Sequence, residues 1–514
     1  MDFPLLFNEH LRHGLPPEGA RIPVNAAFME YAHNVKSMDV GAVFPEKITA
    51  PATETLAHPF PRFARGQRGD FILGQNFIRR RSGRTGSFST LTLYDPATPA
   101  STVAVSSLGS WQIVTFDKIW FASNLNQLAF SLPSNTSDKV FLAGRNVRAL
   151  GKHGNRLLMG GVSDTNGDSW FTGSRWQHCM DLWRHFQPKH NLGHEDMVWD
   201  NSWIVYLEPG GGADDIPYHI GMAMLGVYGT AAFDYWLPFI DTYIENGEIG
   251  FVSSKVNSAI FAIKEIGDSG RLVVYGRDGI SQLIPSGTRY EEEVLSEVGI
   301  TGRAAVGGGL DRHVAVDSQY QIVVIPKAGD LQRINHAAKL TPGVGAGEYI
   351  VSYDELFGDF WITEGTQSWI FNGAFAGPID VCPTDVVRDS AAGLLGFAAA
   401  QAEADYEWEI RFVPVDMGNR DWKKITRMMF EAVGLTAISM RVDARYKGDG
   451  DWFLGPWVPA FTNNYATATK SGVELRVSFK GTTTLADPAR LSSLEARFSG
   501  TAGNTRRGPA PRVA

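Results

Sequence analysis

The chain has 514 residues, of which 44% are hydrophobic, 20% charged and 11% aromatic, and this composition excludes a generally disordered polymer. Its 55 glycines, with 14 Trp, 15 Tyr and 30 Phe, favour short strands joined by tight turns and exclude a helical bundle. The net charge of −8 excludes a protein that binds polyanions over its whole surface.

Neither the N-terminus nor the most apolar stretch predicts a membrane segment. The opening sequence MDFPLLFNEHLRHGL has no basic start followed by an apolar core, so we expect no signal peptide. The apolar stretch 220–240 is interrupted by Asp234 and Pro238, which argues against stable membrane insertion. Cys179 and Cys382 are too few for a disulfide framework and are predicted to be buried thiols.

Residues 1–100 are predicted to form an irregular N-terminal arm. Stretches such as PPEGARIP and HPFPRF are rich in proline, which fixes φ and biases the preceding residue away from helix. We expect this arm to lie along another surface, of the same chain or of a neighbour.

Residues 101–385 are predicted to form a β-propeller-like domain of about six blades. Six hairpin-like runs have turns spaced by roughly 48 residues, and four-stranded propeller blades repeat at a similar interval. Long steps between turns indicate insertions near 175–200 and 228–250, the first of which contains a surface helix. A plain β-sandwich would also give regular strands, but without this longer period. The turns lie at Asn124, Gly161, Glu208, Gly276, Lys327 and Glu364.

Residues 386–502 are predicted to form a separate β-rich module, either α+β or a β-sandwich. Strands are expected at 405–415, 437–446, 472–481 and 490–499, and a helix is expected over 421–434. Residues 503–514 are predicted to be a tail.

One motif resembles a turn of sialidase-type propellers. SDTNGDSW matches S-x-D-x-G-x-x-W at Ser163, Gly167 and Trp170, but Thr165 replaces the aspartate. Such boxes cap blade hairpins and are structural, whereas glycoside hydrolysis needs a pair of carboxylates at a defined distance. The chain also lacks G-x-S-x-G, H-E-x-x-H and Walker A motifs, so it is predicted not to be an enzyme.

A group of histidines, His178, His185, His190 and His194, is followed by Glu195 and Asp196. The gaps of seven, five and four residues match no standard zinc spacing, and a polar insertion explains them more simply. Neither a metal nor a cofactor is predicted.

Positive charge is concentrated in RFARGQRGDFILGQNFIRRRSGR, where only Asp70 opposes it. Guanidinium groups pair with carboxylates or phosphates, and the interleaved aromatic and aliphatic residues favour a subunit or adaptor interface. A solvated loop and a nucleic acid contact are the alternatives. The arginines are Arg62, Arg65, Arg68, Arg79, Arg80, Arg81 and Arg84.

The chain resembles the tail nozzle proteins of short-tailed bacteriophages, also called packaged-DNA stabilisation or tail tubular B-type proteins. Four segments carry the resemblance: VSDTNGDSW (162–170), GRLVVYGRDGISQLIPSG (270–287), GDFWITEGTQSWIFNG (358–373) and ARLSSLEARFSGTAGNTRRG (489–508).

The resemblance implies a structural virion protein, assembled in the host cytoplasm. It implies a ring, typically of six copies, below the portal and adaptor and beside tail fibres or spikes. That ring would retain packaged double-stranded DNA and conduct it without sequence-specific binding, as suits an acidic subunit. The alternatives are a propeller-type glycan hydrolase and a receptor-binding or tail fibre adaptor protein.

Overall fold

A computed structural model provides the fold. It describes all residues except 1, 19–26, 39–40, 44–47, 49–61, 67–68, 83–86, 97, 99, 107–108, 117–118, 133–138, 165–173, 187–202, 209–229, 257, 268–269, 288, 310, 343–347, 366, 390–392, 399–405, 417–421, 435, 447–449, 461–464, 468–469, 484–489 and 501–514.

The chain divides into two compact units. The propeller unit comprises Ile48–Gly365 and Pro383–Ala399, and the terminal unit comprises Met1–Lys47, Thr366–Cys382 and Ala400–Ala514. These bounds differ from the predicted ones, 101–385 and 386–502, because strands from the first 47 residues join those of the C-terminal part.

The first elements of the chain belong to the terminal unit. They are β1 (Asp2–Leu6), α1 (Asn8–His13), β2 (Met29–His33), β3 (Lys36–Met38) and β4 (Gly41–Val43).

The propeller unit follows. Its elements are β5 (Arg62–Gly66), β6 (Gly69–Leu73), β7 (Ile78–Ser82), β8 (Ser89–Thr90), β9 (Leu93–Tyr94), β10 (Gln112–Thr115), β11 (Trp120–Ser123), β12 (Leu128–Leu132), β13 (Lys139–Ala143), β14 (Arg145–His153), β15 (Arg156–Asp164), α2 (Ser174–Phe186), β16 (Trp203–Leu207), α3 (Thr230–Glu245), β17 (Gly250–Ser253), β18 (Ile260–Ile266), β19 (Arg271–Gly276), β20 (Ile280–Ser286), β21 (Arg289–Ser296), β22 (Val306–Gly308), β23 (Arg312–Val316), β24 (Ile322–Pro326), β25 (Gln332–Ile334), α4 (Ala337–Leu340), β26 (Tyr349–Asp354) and β27 (Asp359–Glu364).

The remaining elements belong mainly to the terminal unit, with one hairpin, β30–β31, in the propeller unit. They are β28 (Gln367–Phe371), β29 (Phe375–Ile379), β30 (Pro383–Asp389), β31 (Gly393–Ala398), β32 (Tyr406–Phe412), β33 (Lys423–Val433), β34 (Thr436–Arg445), β35 (Val458–Pro459), β36 (Tyr465–Ala466), β37 (Lys470–Gly472), β38 (Glu474–Thr483) and β39 (Arg490–Gly500).

The propeller unit is a series of antiparallel sheets in chain order. The sheets are β5–β8, β10–β13, β14–β17, β18–β21 and β22–β25, and the short β9 pairs in parallel with β13. The hairpins β26–β27 and β30–β31 continue the series. Four-stranded meanders that follow one another in this way are the blades of a β-propeller.

The first strands of these sheets form a closed cycle. Strand β5 contacts β10, β10 contacts β14, β14 contacts β18 and β18 contacts β22. The cycle continues from β22 to β26 and from β26 to β30, and β30 returns to β5. The seven first strands therefore surround a common axis, and the predicted mainly β, propeller-like fold is confirmed. The cycle has seven members, whereas about six blades were predicted.

A hydrophobic layer lies between each sheet and the next. Successive side chains of a strand point to opposite faces of its sheet, so one strand contributes to the layers on both sides. On β11, Phe121 faces the sheet that follows, while Trp120 faces the sheet that precedes it. Both faces of an inner sheet are thus buried, which explains near-continuous apolar runs such as LVVY in β19. In one layer the rings of Phe71 and Trp120 lie 5.1 Å apart, between centroids. The other three layers contain Phe130 and Met159, Leu158 and Ile263, and Tyr275 and Ile325, respectively.

The prediction that residues 1–100 are irregular is wrong for the strands of 62–90. These form the first sheet of the propeller unit. The sequence did not predict this sheet because its arginines suggested an exposed segment. In the structure, Arg81 pairs with Asp70 on the neighbouring strand, so its charge is neutralised inside the fold. Two of the six predicted turns fall in the same sheet: Gly161 lies within strand β15, so no turn occurs there, and Glu208 directly follows β16. The sheets therefore do not coincide one to one with the predicted hairpins.

Two helices occupy the predicted insertions. Helix α2 lies between strands β15 and β16 in sequence and occupies the predicted insertion near 175–200. Helix α3 lies between β16 and β17 and occupies the predicted insertion near 228–250. Trp183 of α2 and Ile240 and Ile244 of α3 are buried in the same hydrophobic layer. No helix among the described residues is long and apolar enough to cross a membrane.

The terminal unit is a β-sandwich. One sheet has the order β3-β4-β39-β33-β36, with β1 on β39 and β37 on β33, and the other has the order β2-β32-β38-β34-β35. The hairpin β28–β29 also belongs to this unit. Phe479 of one sheet lies 6.3 Å from Phe430 of the other, between ring centroids, and 6.3 Å from Phe412 of its own sheet.

The predicted helix over 421–434 is wrong, because this segment is strand β33. Its pairing with β39 shifts register between Ile425 and Arg427. Such a bulge inserts one residue, so the buried Ile425 and Met428 are three residues apart, which imitates helical spacing.

Candidate functional site

An extended segment, residues 450–460, lies along strand β34 of the terminal unit. The Phe453 amide donates to the Ala444 carbonyl at 2.8 Å, and the Ala444 amide donates to the Phe453 carbonyl at 3.1 Å. The Gly455 amide donates to Asp443 Oδ1 at 3.1 Å. A side chain at Gly455 would place Cβ 2.2 Å from the Val442 carbonyl oxygen, so only glycine allows this approach.

This segment and the neighbouring strand ends expose three aromatic rings in contact, Trp422, Tyr446 and Phe453, together with Leu454, the residue after Phe453. These four residues are here termed the aromatic patch. The rings of Trp422 and Tyr446 stack with centroids 4.8 Å apart, and Tyr446 lies 4.8 Å from Phe453. Leu454 is 60% exposed and Trp422 is 51% exposed. Single exposed apolar residues are common, whereas a contiguous group marks an interaction surface.

Cation–π contacts fix the segment that carries the patch. The Arg445 and Arg476 guanidinium groups lie 4.8 Å and 4.4 Å from the Trp452 ring. Arg476 also donates from Nη2 to the fully buried Asp443, at 3.1 Å. Because these rings and charges hold the segment in place, little conformational freedom would be lost when the patch binds a partner.

The backbone edge of this segment is a poor template for a further strand. Pro456 and Pro459 have no amide hydrogen to donate, and proline at a sheet edge prevents strand addition. The patch therefore presents side chains, and a partner would bind through them.

The predicted arginine interface lies on the first propeller sheet. Arg81 is buried and donates from Nη2 and Nε to Asp70, at 2.6 Å and 3.0 Å. Arg62 donates from Nη1 to Asp385 at 3.4 Å. Arg79 and Arg80 are partly exposed, with their guanidinium groups 4.8 Å and 5.9 Å from the Phe77 and Phe71 rings.

The other members of that set are described in part or not at all. Arg65 lies on β5, and Arg68 and Arg84 lie outside the described residues. A docking role for these arginines stays a prediction. Arg81 is the exception, because a buried, paired arginine is unavailable to a partner.

The predicted blade-turn motif is described only at its start. Ser163 lies near the end of β15, where it pairs with Asn146 of β14. Gly167 and Trp170 lie outside the described residues.

Of the four histidines grouped in the sequence, His178 and His185 lie on α2, and His178 pairs with Asp241 of α3 at 3.2 Å. His190 and His194 lie outside the described residues. Within the described part of the chain, no group of three or more His, Cys, Asp or Glu could hold a metal ion. Both cysteines are buried and free, as predicted, and burial, with a smaller effect of Asp241, raises the pKa of the Cys179 thiol to about 12.

Sequence reasoning missed the aromatic patch. One local signal existed: Trp452, Phe453 and Trp457 lie in a glycine- and proline-containing stretch without strand alternation, where a core is not expected. The pairing of that stretch with Trp422 and Tyr446 depends on tertiary contacts.

The fold defines a protein of the β-propeller class joined to a β-sandwich. No protein-family model matches the chain, and no curated protein matches it in sequence. Among solved structures, it is similar to the extracellular domain of BT4673 from B. thetaiotaomicron, with 8% identity and a TM-score of 0.35 over 80% of this chain and 44% of that one. The chain thus spans less than half the length of that extracellular domain.

Two eukaryotic structures are also similar. Kluyveromyces lactis Hsv2 has 9% identity and a TM-score of 0.28 over 65% of this chain and 92% of its own. The Neurospora crassa Pan2 WD40 domain has 10% identity and a TM-score of 0.27 over 69% of this chain and 76% of its own. These TM-scores lie below 0.5, so none of these similarities carries an argument. The assignment of the fold rests on the sheets described above.

Proposed function

We propose that the chain is a structural subunit of the tail of a short-tailed bacteriophage, and that it has no catalytic role. Copies would form the ring-shaped nozzle below the portal and adaptor, retain packaged DNA and conduct it during ejection. The tail of the virion would be its location, with tail fibres or spikes as further partners.

The observation that carries this proposal is the aromatic patch. Stable assemblies bury aromatic and arginine-rich surfaces at the centre of their interfaces. Trp422, Tyr446, Phe453 and Leu454 supply such a surface beside Arg445 and Arg476. A subunit of a permanent ring needs it, whereas a monomeric enzyme does not.

The occupant that we assign to the patch is a second copy of this chain, bound head to tail. Rings form from heterologous contacts, in which two unlike surfaces of the subunit meet. Lys424 is exposed two residues from Trp422, and Arg445 precedes Tyr446, so positive charge lies beside the patch. The outer strand β21 offers a complementary surface, because Glu291 and Glu293 are exposed there with Val294, which is 46% exposed.

The overall charge of the subunit also favours this role. Each phosphate that a protein neutralises with Lys or Arg adds salt-dependent affinity, which would slow a duplex that slides through a ring. A net charge of −8 allows DNA to pass with little retention by the wall.

Replacing Trp422 and Leu454 together with serine should prevent ring formation and leave the monomer folded. Interface hot spots contribute about 2 kcal/mol or more each, so the double variant should associate about 1,000-fold more weakly. Light scattering across a concentration series and negative-stain microscopy of the full chain measure this.

The matched control is the double variant Leu356→Ser with Tyr235→Ser. These residues are 67% and 69% exposed in the propeller unit and lie outside the aromatic patch, so their replacement should leave assembly unchanged. A wild-type chain that stays monomeric at every concentration, or that cleaves host polysaccharide, would contradict the proposal and favour the hydrolase alternative.

A further inference from the structure

The axis of the propeller unit carries an unusual group of positive charges, here termed the axial cluster: Arg62, Arg148, Lys264 and Arg303. Arg62 lies on β5, Arg148 on β14 and Lys264 on β18, which are three of the seven first strands. Arg303 lies in the connection between β21 and β22. The closed cycle of first strands brings these residues together from distant parts of the chain.

Arg303 is the centre of this cluster and is only 7% exposed. Its Nε donates to the Arg148 carbonyl at 2.6 Å, and its Nη1 donates to the Ser110 carbonyl at 2.8 Å. Its Nη2 is buried and has no hydrogen-bond partner among the residues that the structure describes. A buried guanidinium that retains an unused donor is costly, unless a ligand accepts from it.

Two other guanidinium groups of the cluster share this property. The Nε atoms of Arg62 and Arg148 are also buried and lack a partner within the described part of the chain. Asp385 accepts from Arg62, but this contact is long, at 3.4 Å, and the shorter bond to Asp385, of 2.8 Å, comes from the Phe63 amide.

The acidic groups that act on these cations do not balance them. Burial, and then repulsion from Arg148, lowers the pKa of Arg303 to about 9, with Glu348 opposing the shift. Burial, and then repulsion from Arg62, lowers the pKa of Lys264 to about 8, with Asp385 opposing it. Four cations thus face Asp385 and the exposed Glu348.

We propose that the axial cluster binds one small oxyanion of the size of inorganic phosphate. The ion would accept a hydrogen bond from Arg303 Nη2 and lie within the field of Arg62, Arg148 and Lys264. Phosphate suits the site because its several oxygens can accept from donors that approach from different strands. This site is independent of the proposed role in a phage tail, since it lies within one subunit.

The test is a titration of the purified full chain with inorganic phosphate at constant ionic strength, followed by calorimetry and by thermal unfolding. We expect saturable binding of one ion per chain, and a Tm that rises with phosphate but not with the equivalent chloride.

The variant Lys264→Met should bind phosphate about tenfold more weakly or worse, since one charged partner is lost. The control Lys327→Met removes an exposed lysine from an outer turn of the same unit and should bind normally. Equal binding by both variants would place the ion elsewhere and overturn the proposal. Absent or unsaturable binding to the unmodified chain would overturn it without reference to any variant.

Discussion

Replacing Arg81 with alanine is expected to lower the free energy of unfolding by about 3–5 kcal/mol. The Arg81 and Asp70 side chains are 9% and 6% exposed, and their closest contact is 2.6 Å. The substitution leaves the Asp70 carboxylate buried without its charge partner in the middle of the sheet β5–β8. Denaturant unfolding followed by intrinsic fluorescence measures the loss.

Two controls separate this charge effect from a general sensitivity of the sheet. Arg79→Ala removes a partly exposed arginine of the same strand and should change stability by about 1 kcal/mol or less. The double variant Asp70→Leu with Arg81→Met removes both charges and should recover most of the loss, because an apolar pair needs no solvation. Equal effects of Arg81→Ala and Arg79→Ala would show that the ion pair does not support the sheet.

The structural role of Arg81 also limits which substitutions can test an arginine docking surface. Substituting all four of Arg79, Arg80, Arg81 and Arg84 would unfold the sheet, so a loss of assembly would have no clear cause. Changing Arg79 and Arg80 alone preserves the pair with Asp70.

Acidification from pH 6.5 to pH 5 is expected to destabilise the propeller unit by about 2 kcal/mol through His313 alone. His313 is buried beside Tyr275, whose hydroxyl lies 2.9 Å from Nδ1. Burial, and then repulsion from Lys264, lowers its pKa to about 3, against an unfolded value of about 6.5. Between these values the unfolded chain binds the additional proton, so stability falls as the pH falls and is constant above about pH 6.5.

The free energy of unfolding at pH 7, 6 and 5, compared between the wild type and His313→Gln, measures this effect. The variant should lose less stability on acidification, although His336, whose pKa burial lowers to about 4, retains part of the dependence. Gln319→Ser is the control, because it changes an exposed side chain of the same unit that binds no proton in this pH range. Identical slopes for the wild type and His313→Gln would refute the assignment.

The repeating sheets could be predicted because each is a meander whose strands are neighbours in sequence. The sheet β18–β21 shows this directly: its turns and apolar runs lie within one uninterrupted stretch. The first sheet was missed because its charged residues pair inside the fold, so composition suggested an arm. Strand β33 was predicted as a helix because a bulge moved its buried residues to helical spacing.

The candidate sites could not be predicted in the same way. The axial cluster brings together residues from 62 to 303, and Asp385 approaches Arg62 only because β30 closes the cycle onto β5. No local spacing encodes such a group. The aromatic patch likewise depends on the stacking of Trp422 against Tyr446, which flank strands β33 and β34 of different sheets.

The pairing of β1 with β39 has a consequence for biosynthesis. Asp2 is opposite Ser499 and Leu6 is opposite Glu495, so β1 is synthesised long before the strand with which it pairs. The propeller unit lies between them in sequence and can close while β1 still has no partner. During that interval DFPLL is an unpaired apolar segment, which is a hazard for strand-to-strand aggregation. We therefore expect the terminal unit to be the slow step of folding, and the one whose yield depends most on chaperones.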